Sequence, residues 1–491
     1  MENRNGKTAQ FRLSVALFWV STLLTGAAFS SHAAHAPLKG TLKANAYATM
    51  LYMGTPRDYE FYIAARVMLG TLVRFQVDAD LVVIASESVP PQWQKTLTDE
   101  GAKVVVVSDI QNPYANYRNF DKRFLLTLNK IYAWSLTEYQ RVVMLDADNL
   151  FLRAPDELFQ CGQFCAAFIN PCIFHTGLFV LQPSNETFSN MMHDISIGKE
   201  SSDGADQGFL ASHFTDLLDR PMFHPPADGS RLDGLFRLPL GYQMDASFFY
   251  LKLKWRVPCG PNSVITFPSV PMLKPWYWWS WPILPLGLSW HEKRVATIGY
   301  ETESPVLIAE SLFYIFIMLV ALIIRQRYAC SEKSSMSRIT CFGRGPCAEK
   351  KLCHPWAIKL IILALVAGSF RLPFYMIPTT VHPLMGWGVF LLGSFCLLTV
   401  VNTAFQLPDL PVLTPWLGCI GALFTMGSPF YASGITRGLG IGIYVAMITP
   451  FLWWAAKRVS GVVHAKVYWE PLMAWNSVRS EPASETLMKL C

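Results

Sequence analysis

The segment that most restricts what this chain can fold into is Arg-Val-Val-Met-Leu-Asp-Ala-Asp, residues 141–148. An apolar run behind Arg141 reads as a strand buried on both faces, and two carboxylates stand where that strand should end. Open α/β sheets gather their ligands at the carboxyl ends of strands, so Asp146 and Asp148 stand where a substrate would lie. With only Ala147 between them, one acid can ligate a divalent cation while the other acts beside it or through water. Mg²⁺ and Mn²⁺ favour such hard oxygen ligands and complete their shells from phosphates and water. A nucleotide diphosphate is the natural guest. The same triplet also occurs in ordinary turns, so its setting in the chain has to decide.

The preceding residues supply an α/β frame. Residues 46–53 read as a strand, 58–74 as a helix with Tyr62, Ala65, Met68 and Leu69 at helical spacing, and 81–85 as a short strand. A short helix over 91–100 and the valines of 104–107 continue the alternation. A further helix is expected over 123–138, with Leu128, Ile131, Tyr132 and Leu136 on one face, leading into the acid-bearing strand. Such β-α-β-α-β order with short connections implies a parallel sheet covered by helices on both faces. Neither G-x-G-x-x-G nor G-x-x-x-x-G-K-[ST] follows the early strands, which argues against dinucleotide and P-loop proteins.

The second half is of another kind. Of 491 residues, 52% are hydrophobic and only 15% charged, which points to a membrane protein. The formal charge of +6 is modest, and no basic, aromatic-interleaved surface indicates a nucleic-acid partner. An all-α membrane domain is expected over 303–460, with spans at 306–324, 356–377, 386–407, 412–433 and 438–456, although Arg371 and Pro373 weaken the second. Arg325, Arg327, Lys333, Arg338, Arg344, Lys350 and Lys351 crowd the segment after the first span, and Lys457, Arg458 and Lys466 follow the fifth. Basic loops mark the cytosol, which puts residues 45–302 in the lumen and the tail, 461–491, in the cytosol. Residues 1–36 agree: Arg4, Lys7 and Arg12 precede an apolar run and small residues, as in a signal cleaved near Ala34 or Ala36, or an uncleaved anchor. A transporter is disfavoured by the absence of paired buried charges and evident repeats. Glu310, in the first span, reads as an acid reaching water near the lumenal end, or as a functional one.

Smaller features bear on the lumenal part. Cys161, Cys165, Cys172 and Cys259 could form two disulfides in any of three pairings, or remain thiols. Cys330, Cys341, Cys347 and Cys353 lack a C-x-x-C pair, so zinc is disfavoured, and Cys330 beside a span suits palmitoylation. Asn185-Glu186-Thr187 is an N-glycosylation acceptor. The stretch 258–290, rich in proline and tryptophan, reads as a shelf at the headgroup layer or as a packed aromatic core.

Downstream of the acids stand Phe174-His175-Thr176-Gly177-Leu178-Phe179-Val180-Leu181-Gln182-Pro183-Ser184, then Asp203-Gly204-Ala205-Asp206-Gln207-Gly208, then Lys274-Pro275-Trp276. Their kind and order resemble the glycogenin-like, family 8 retaining glycosyltransferases, over roughly residues 46–276. The resemblance implies a GT-A type domain, Rossmann-like with a mixed sheet, and a UDP-sugar donor whose diphosphate lies with Mn²⁺ on Asp146, Ala147 and Asp148. It further implies donor contact by Lys130, uracil contacts near Met53, Thr55 and Tyr62, and phosphate contacts near Arg123. His175 and Thr176 would lie near the sugar, and Asp203, Asp206 and Gln207 around its hydroxyls and the reacting carbon. Relatives carry a His before Lys-Pro-Trp as third metal ligand, and this chain has none there; His291 could replace it, or be an interfacial surface residue. The spans resemble the multi-spanning plant branch that includes inositol phosphorylceramide glucuronosyltransferases. That branch implies UDP-glucuronate, a sphingolipid headgroup acceptor and a Golgi membrane, with a cell-wall glycan as the other acceptor.

In such chemistry the departing diphosphate needs positive charge, from Mn²⁺ and from Lys130 and Lys274. Retention needs either a covalent nucleophile, for which Asp206 is the candidate, or attack on the face the diphosphate leaves, with Asp206 and Gln207 holding an oxocarbenium-like state. Asp203 and Asp206 also suit a capped helix start. The missing histidine leaves open a non-catalytic scaffold or lipid-binding protein with a degenerate transferase domain.

Overall fold

A computed structural model describes residues 43–117, 120–169, 172–246, 262–268, 274–280, 285–335 and 355–405, with scattered positions between 439 and 461. Residues 1–42, Cys259, the expected span at 412–433 and the tail beyond 461 lie outside the described residues. The chain divides into two compact units, one mainly of residues 31–300 and the other mainly of residues from 301 onward.

The first unit is built on a mixed sheet. Strands β1 (Asn45–Leu51), β2 (Asp80–Ser86), β3 (Lys103–Val107) and β4 (Arg141–Leu145) are parallel, in the order β3-β2-β1-β4. Helices α1 (Asp58–Arg74) and α2 (Pro91–Asp99) make the crossovers, as the alternation predicts. Beyond β4 the direction changes. After the short strand β5 (Asn149–Phe151) come β6 (Phe164–Ala167) and β7 (His175–Leu181); β7 runs antiparallel to β4, and β6 antiparallel to β7. Strand β8 (Leu235–Leu238) closes the edge parallel to β6.

Every residue of β4 is buried, and alternate side chains serve two cores. Val143 and Leu145 join Tyr47, Val83 and the apolar face of α1. Val142 and Met144 join Ala48, Val82, Ile131 and Trp134 on the other side. Period-two alternation in a strand covered on both faces gives this division, and each fully buried aliphatic side chain contributes about 1.5–3 kcal/mol.

Instead of one helix over 123–138, the chain forms a short 3-10 turn, Lys122–Phe124, and a longer 3-10 run, Thr127–Ser135. Three residues per turn superimpose Leu128, Ile131 and Trp134, all fully buried, and leave Tyr132 partly exposed. The Asn129 side chain fixes the segment to the loop after β3, accepting from the Ile110 N–H at 2.9 Å and donating to Asp109 at 2.7 Å.

The described part of the tryptophan-rich stretch is core. Trp276 and Trp278 are 0% exposed and Trp290, on helix Pro285–Thr297, is 2% exposed. The Trp276 indole N–H and the Tyr277 hydroxyl both donate to Glu60 Oε2 of α1, at 3.2 and 2.8 Å. That acceptor makes burial of their polar atoms tolerable and turns the rings inward rather than toward a bilayer. Cys161 and Cys165 form a disulfide, and Cys172 is a free, exposed thiol. Asn185 is exposed and opens helix Asn185–Ser196, which Ser184 caps through the Thr187 N–H.

The second unit holds helices Ser304–Ser335, Pro355–Met376 and Pro383–Phe405. Ser304–Arg327 and Pro383–Phe405 are long and apolar enough to cross a membrane, with mean hydropathies of 2.6 and 2.1, whereas Leu360–Met376 is a shorter apolar helix that contains Pro373. Tyr314 and Pro373 both pack against Gly393, so these helices meet closely. Glu310 is buried, at 8% exposure.

Candidate active site

The chain leaves β4 through a tight turn that aims both acids. The Asp146 N–H donates to Gly177 O at 2.8 Å, and the Asn149 side-chain amide donates to the same carbonyl at 2.6 Å. Gly177 is needed there: a Cβ would meet the His175 ring at 2.7 Å. Thr49 Oγ1 donates to Leu145 O at 2.8 Å, tying the end of β4 to β1. The result is a cavity of about 530 Å³ at the carboxyl ends of the parallel strands, of the size that holds a cofactor or nucleotide.

Of the residues expected at the site, Thr55, Arg123, Lys130, Asp146, Ala147, Asp148, His175, Thr176, Asp203, Asp206, Gln207 and Lys274 line this cavity. Three do not. Tyr62 is turned into the core and stacks on Trp93 with centroids 4.3 Å apart, while its neighbour Phe61 lines the cavity. Met53 packs against the sheet core, and Met50 and Tyr52 line the cavity instead. His291 is fully buried on helix Pro285–Thr297, its Nδ1 bonded to the Tyr300 hydroxyl and its ring stacked on Tyr300, outside the cavity lining. A histidine on that helix is carried into the core by its packing, so it is not a surface residue.

Lys130 is the centre of the charge arrangement. Its ammonium, on a side chain 2% exposed, lies 2.9 Å from Asp146 Oδ1 and 2.5 Å from Asp206 Oδ2, and donates to Thr176 O at 3.1 Å. All three of its donors are committed. Thr176 Oγ1 adds a 2.6 Å bond to Asp206 Oδ2. Burial acts to raise the Asp206 carboxyl, but the Lys130 charge and the hydrogen bonds to that carboxylate together bring it below the ordinary range. Asp146 goes the other way: burial, with Asp148 and Asp206 nearby, pushes it up despite Lys130. Burial also holds His175 below its ordinary value, which favours neutral imidazole. Its Nδ1 receives the Gly177 N–H at 3.0 Å and lies 2.7 Å from the Gln243 amide.

Lys274 pairs with Asp148 across 126 residues of sequence and donates to Phe267 O at 3.4 Å. Asp203 Oδ1 accepts from the Ala205 and Gly208 N–H groups at 2.8 and 2.9 Å, so Asp203 shapes the turn into helix Asp206–His213, the capping role its position predicts. Gly208 leaves room for it, since a Cβ there would fall 2.3 Å from Asp203 Oδ1.

Phe61, Arg57 and Asp245 line the cavity, but helical phase decides Phe61 over Tyr62, and Asp245 arrives from a small second sheet. In that sheet Val264–Thr266 pairs antiparallel with β5 and parallel with Met244–Asp245. No spacing pattern announces such a pairing.

Paired acids at the end of a central strand, buttressed by a buried lysine inside a nucleotide-sized cavity, define a nucleotide-sugar glycosyltransferase domain. Comparison with known proteins narrows this. Over 419 residues the chain is 55% identical to "Putative glucuronosyltransferase PGSIP8" of Arabidopsis thaliana, covering 85% of this chain and 82% of that one. The family described as the PGSIP7 C-terminal domain matches residues 302–472. Inositol phosphorylceramide glucuronosyltransferase 1 of the same plant is 31% identical over 256 residues, 51% of this chain and 46% of that one. Glycogenin-1 of Caenorhabditis elegans is 36% identical over 154 residues, 31% of this chain and 33% of that one. The chain belongs to the PGSIP7 and PGSIP8 family of glycogenin-like glycosyltransferases.

Proposed function

We propose that this protein is a Mn²⁺-dependent retaining transferase that moves glucuronate from UDP-glucuronate to an acceptor held at a Golgi membrane, such as an inositol phosphorylceramide headgroup. The observation that carries the reading is the Lys130 bridge, which joins an acid of the Asp-x-Asp pair to the acid of Asp206-Gln207-Gly208 within one cavity. Names of relatives motivate the donor and the acceptor: glucuronosyltransferase in PGSIP8, inositol phosphorylceramide in the more distant plant protein.

The donor set fits a hard divalent cation, since Asp146 and Asp148 both open into the cavity, although no group of three His, Cys, Asp or Glu side chains forms among the described residues. Asp146 and Asp148 would hold Mn²⁺, with further oxygens from donor phosphates and water; when bound, the ion supplies Lewis-acid stabilisation to the departing diphosphate. Lys130, with its donors committed, keeps Asp146 and Asp206 at fixed separation and charge. Lys274 reaches the cavity through a single carboxylate partner and is the lysine placed to add charge to phosphate oxygens. Phe61 and Thr55 line the cavity and would hold the nucleobase. Asp206 and Gln207 would support the oxocarbenium-like state as the acceptor attacks on the face the diphosphate leaves. Asp206 is less suited to covalent attack, because Oδ2 is held by both Lys130 and Thr176.

The test is UDP release by purified protein in detergent, with Mn²⁺ or chelator, offered UDP-glucuronate, UDP-glucose and UDP-galactose separately. Metal-dependent release from UDP-glucuronate alone is the expected result. Absence of both release and UDP binding would favour the scaffold reading. Headgroup-modified sphingolipids lost on deletion, with cell-wall glycans unchanged, would identify a lipid acceptor.

A further inference from the structure

The cavity cations are not equally engaged. Lys130 is held by Asp146 and Asp206, Lys274 by Asp148, and Arg123 lies 2.7 Å from Asp121. Arg57 also lines the cavity, yet among the described residues its guanidinium makes no ion pair and no hydrogen bond. The acids next to it in sequence are taken. Asp58 Oδ2 accepts from the Gly54 N–H at 2.8 Å, and Oδ1 from the Thr55 N–H and hydroxyl at 2.8 and 2.6 Å. Glu60 accepts from Trp276 and Tyr277. Arg57 is partly buried at the start of α1, where the Phe61 N–H donates to its carbonyl at 3.1 Å, so its backbone is fixed while its fork stays available. It is close enough to Tyr277 for its charge to bear on that hydroxyl, which puts it beside the segment that delivers Lys274.

A partly exposed guanidinium with no protein anion paired with it among the described residues keeps its donors available to an anionic ligand in the cavity. Its planar fork matches two oxygens of a phosphate or carboxylate, and the helix start adds a favourable field for negative charge. We propose that Arg57 binds an oxyanion of the nucleotide-sugar donor, either the diphosphate or the carboxylate of a uronic sugar. This rests on the reading of the cavity as a nucleotide-sugar site.

The experiment uses the full chain in detergent with Mn²⁺ present and titrates uridine, UDP, UDP-glucose and UDP-glucuronate against wild type, Arg57→Gln and Arg57→Lys by calorimetry. Loss of a charge-assisted pair is expected to weaken binding roughly tenfold or more in Arg57→Gln, with partial recovery in Arg57→Lys. If UDP and both sugars weaken while uridine does not, the diphosphate is the partner. If only UDP-glucuronate weakens, the partner is the uronate carboxylate. Unchanged affinity for all four compounds overturns the inference, as does an equal loss for uridine, which would mean a disturbed helix start. Failure of wild type to bind any of the four overturns the cavity reading itself.

Discussion

Lys130 Nζ lies 2.5 Å from Asp206 Oδ2, although the two residues are 76 positions apart and neither is more than about a tenth exposed. The same ammonium lies 2.9 Å from Asp146. Lys130→Met therefore leaves the buried Asp206 carboxylate and the partly exposed Asp146 carboxylate without their cation, a change that costs about 3–5 kcal/mol where the stranded charge is fully buried and less where water reaches it. The expected outcome is a large fall in thermal stability together with loss of UDP release. Adding Asp206→Asn should restore part of the stability and none of the turnover. Full stability in the single variant would show that the bridge is not formed in solution.

Asp148 offers a more selective test. Asp148→Asn keeps a hydrogen-bond acceptor for Lys274 but weakens the hard ligand expected to hold Mn²⁺. Turnover should drop by at least about 100-fold, the scale seen when electrostatic stabilisation of a departing group is removed. The rise in melting temperature on adding Mn²⁺ with UDP should shrink as well, with the melt in chelator little changed. A metal-induced shift equal to wild type would remove Asp148 from the metal site.

Glu60 is the shared acceptor of Trp276 and Tyr277. Glu60→Leu strands two buried donors and is expected to destabilise the fold by about 2–4 kcal/mol, whereas Glu60→Gln, which keeps a carbonyl oxygen, should cost much less. Thermal unfolding of both variants decides between this and an interfacial role for the aromatic segment, which predicts changed lipid binding with unchanged melting.

Gly208 leaves no space for a methyl group, because a Cβ would lie 2.8 Å from the Asp203 backbone nitrogen. Gly208→Ala should shift the turn that carries Asp206 and Gln207, lowering stability by about 1–3 kcal/mol and cutting the UDP-release rate with a smaller effect on UDP affinity. Unaltered rates would mean that the turn tolerates displacement.

Much of the frame was legible because local forces write it. The helix over Asp58–Arg74 has the expected bounds, and the strands at 81–85 and 104–107 differ from β2 and β3 by a residue or so at their ends. The 3-10 winding of Thr127–Ser135 is not legible in the sequence because α and 3-10 windings share an apolar spacing near three. Phe61 rather than Tyr62 lines the cavity because helical phase relative to the cavity depends on how α1 seats on the sheet.

By itself the sequence determined the alternation of elements, the acids at the end of β4, the apolar helices of the second unit and the motifs that mark the family, because periodicity and residue chemistry are short-range properties. Only the tertiary structure decided that Lys130 serves two acids at once, that Lys274 faces Asp148, that Trp276 packs inward against Glu60 and that His291 is buried beside Tyr300. Each of these depends on which distant segments share a buried volume, where a charge or polar atom must find its partner or remain unsolvated.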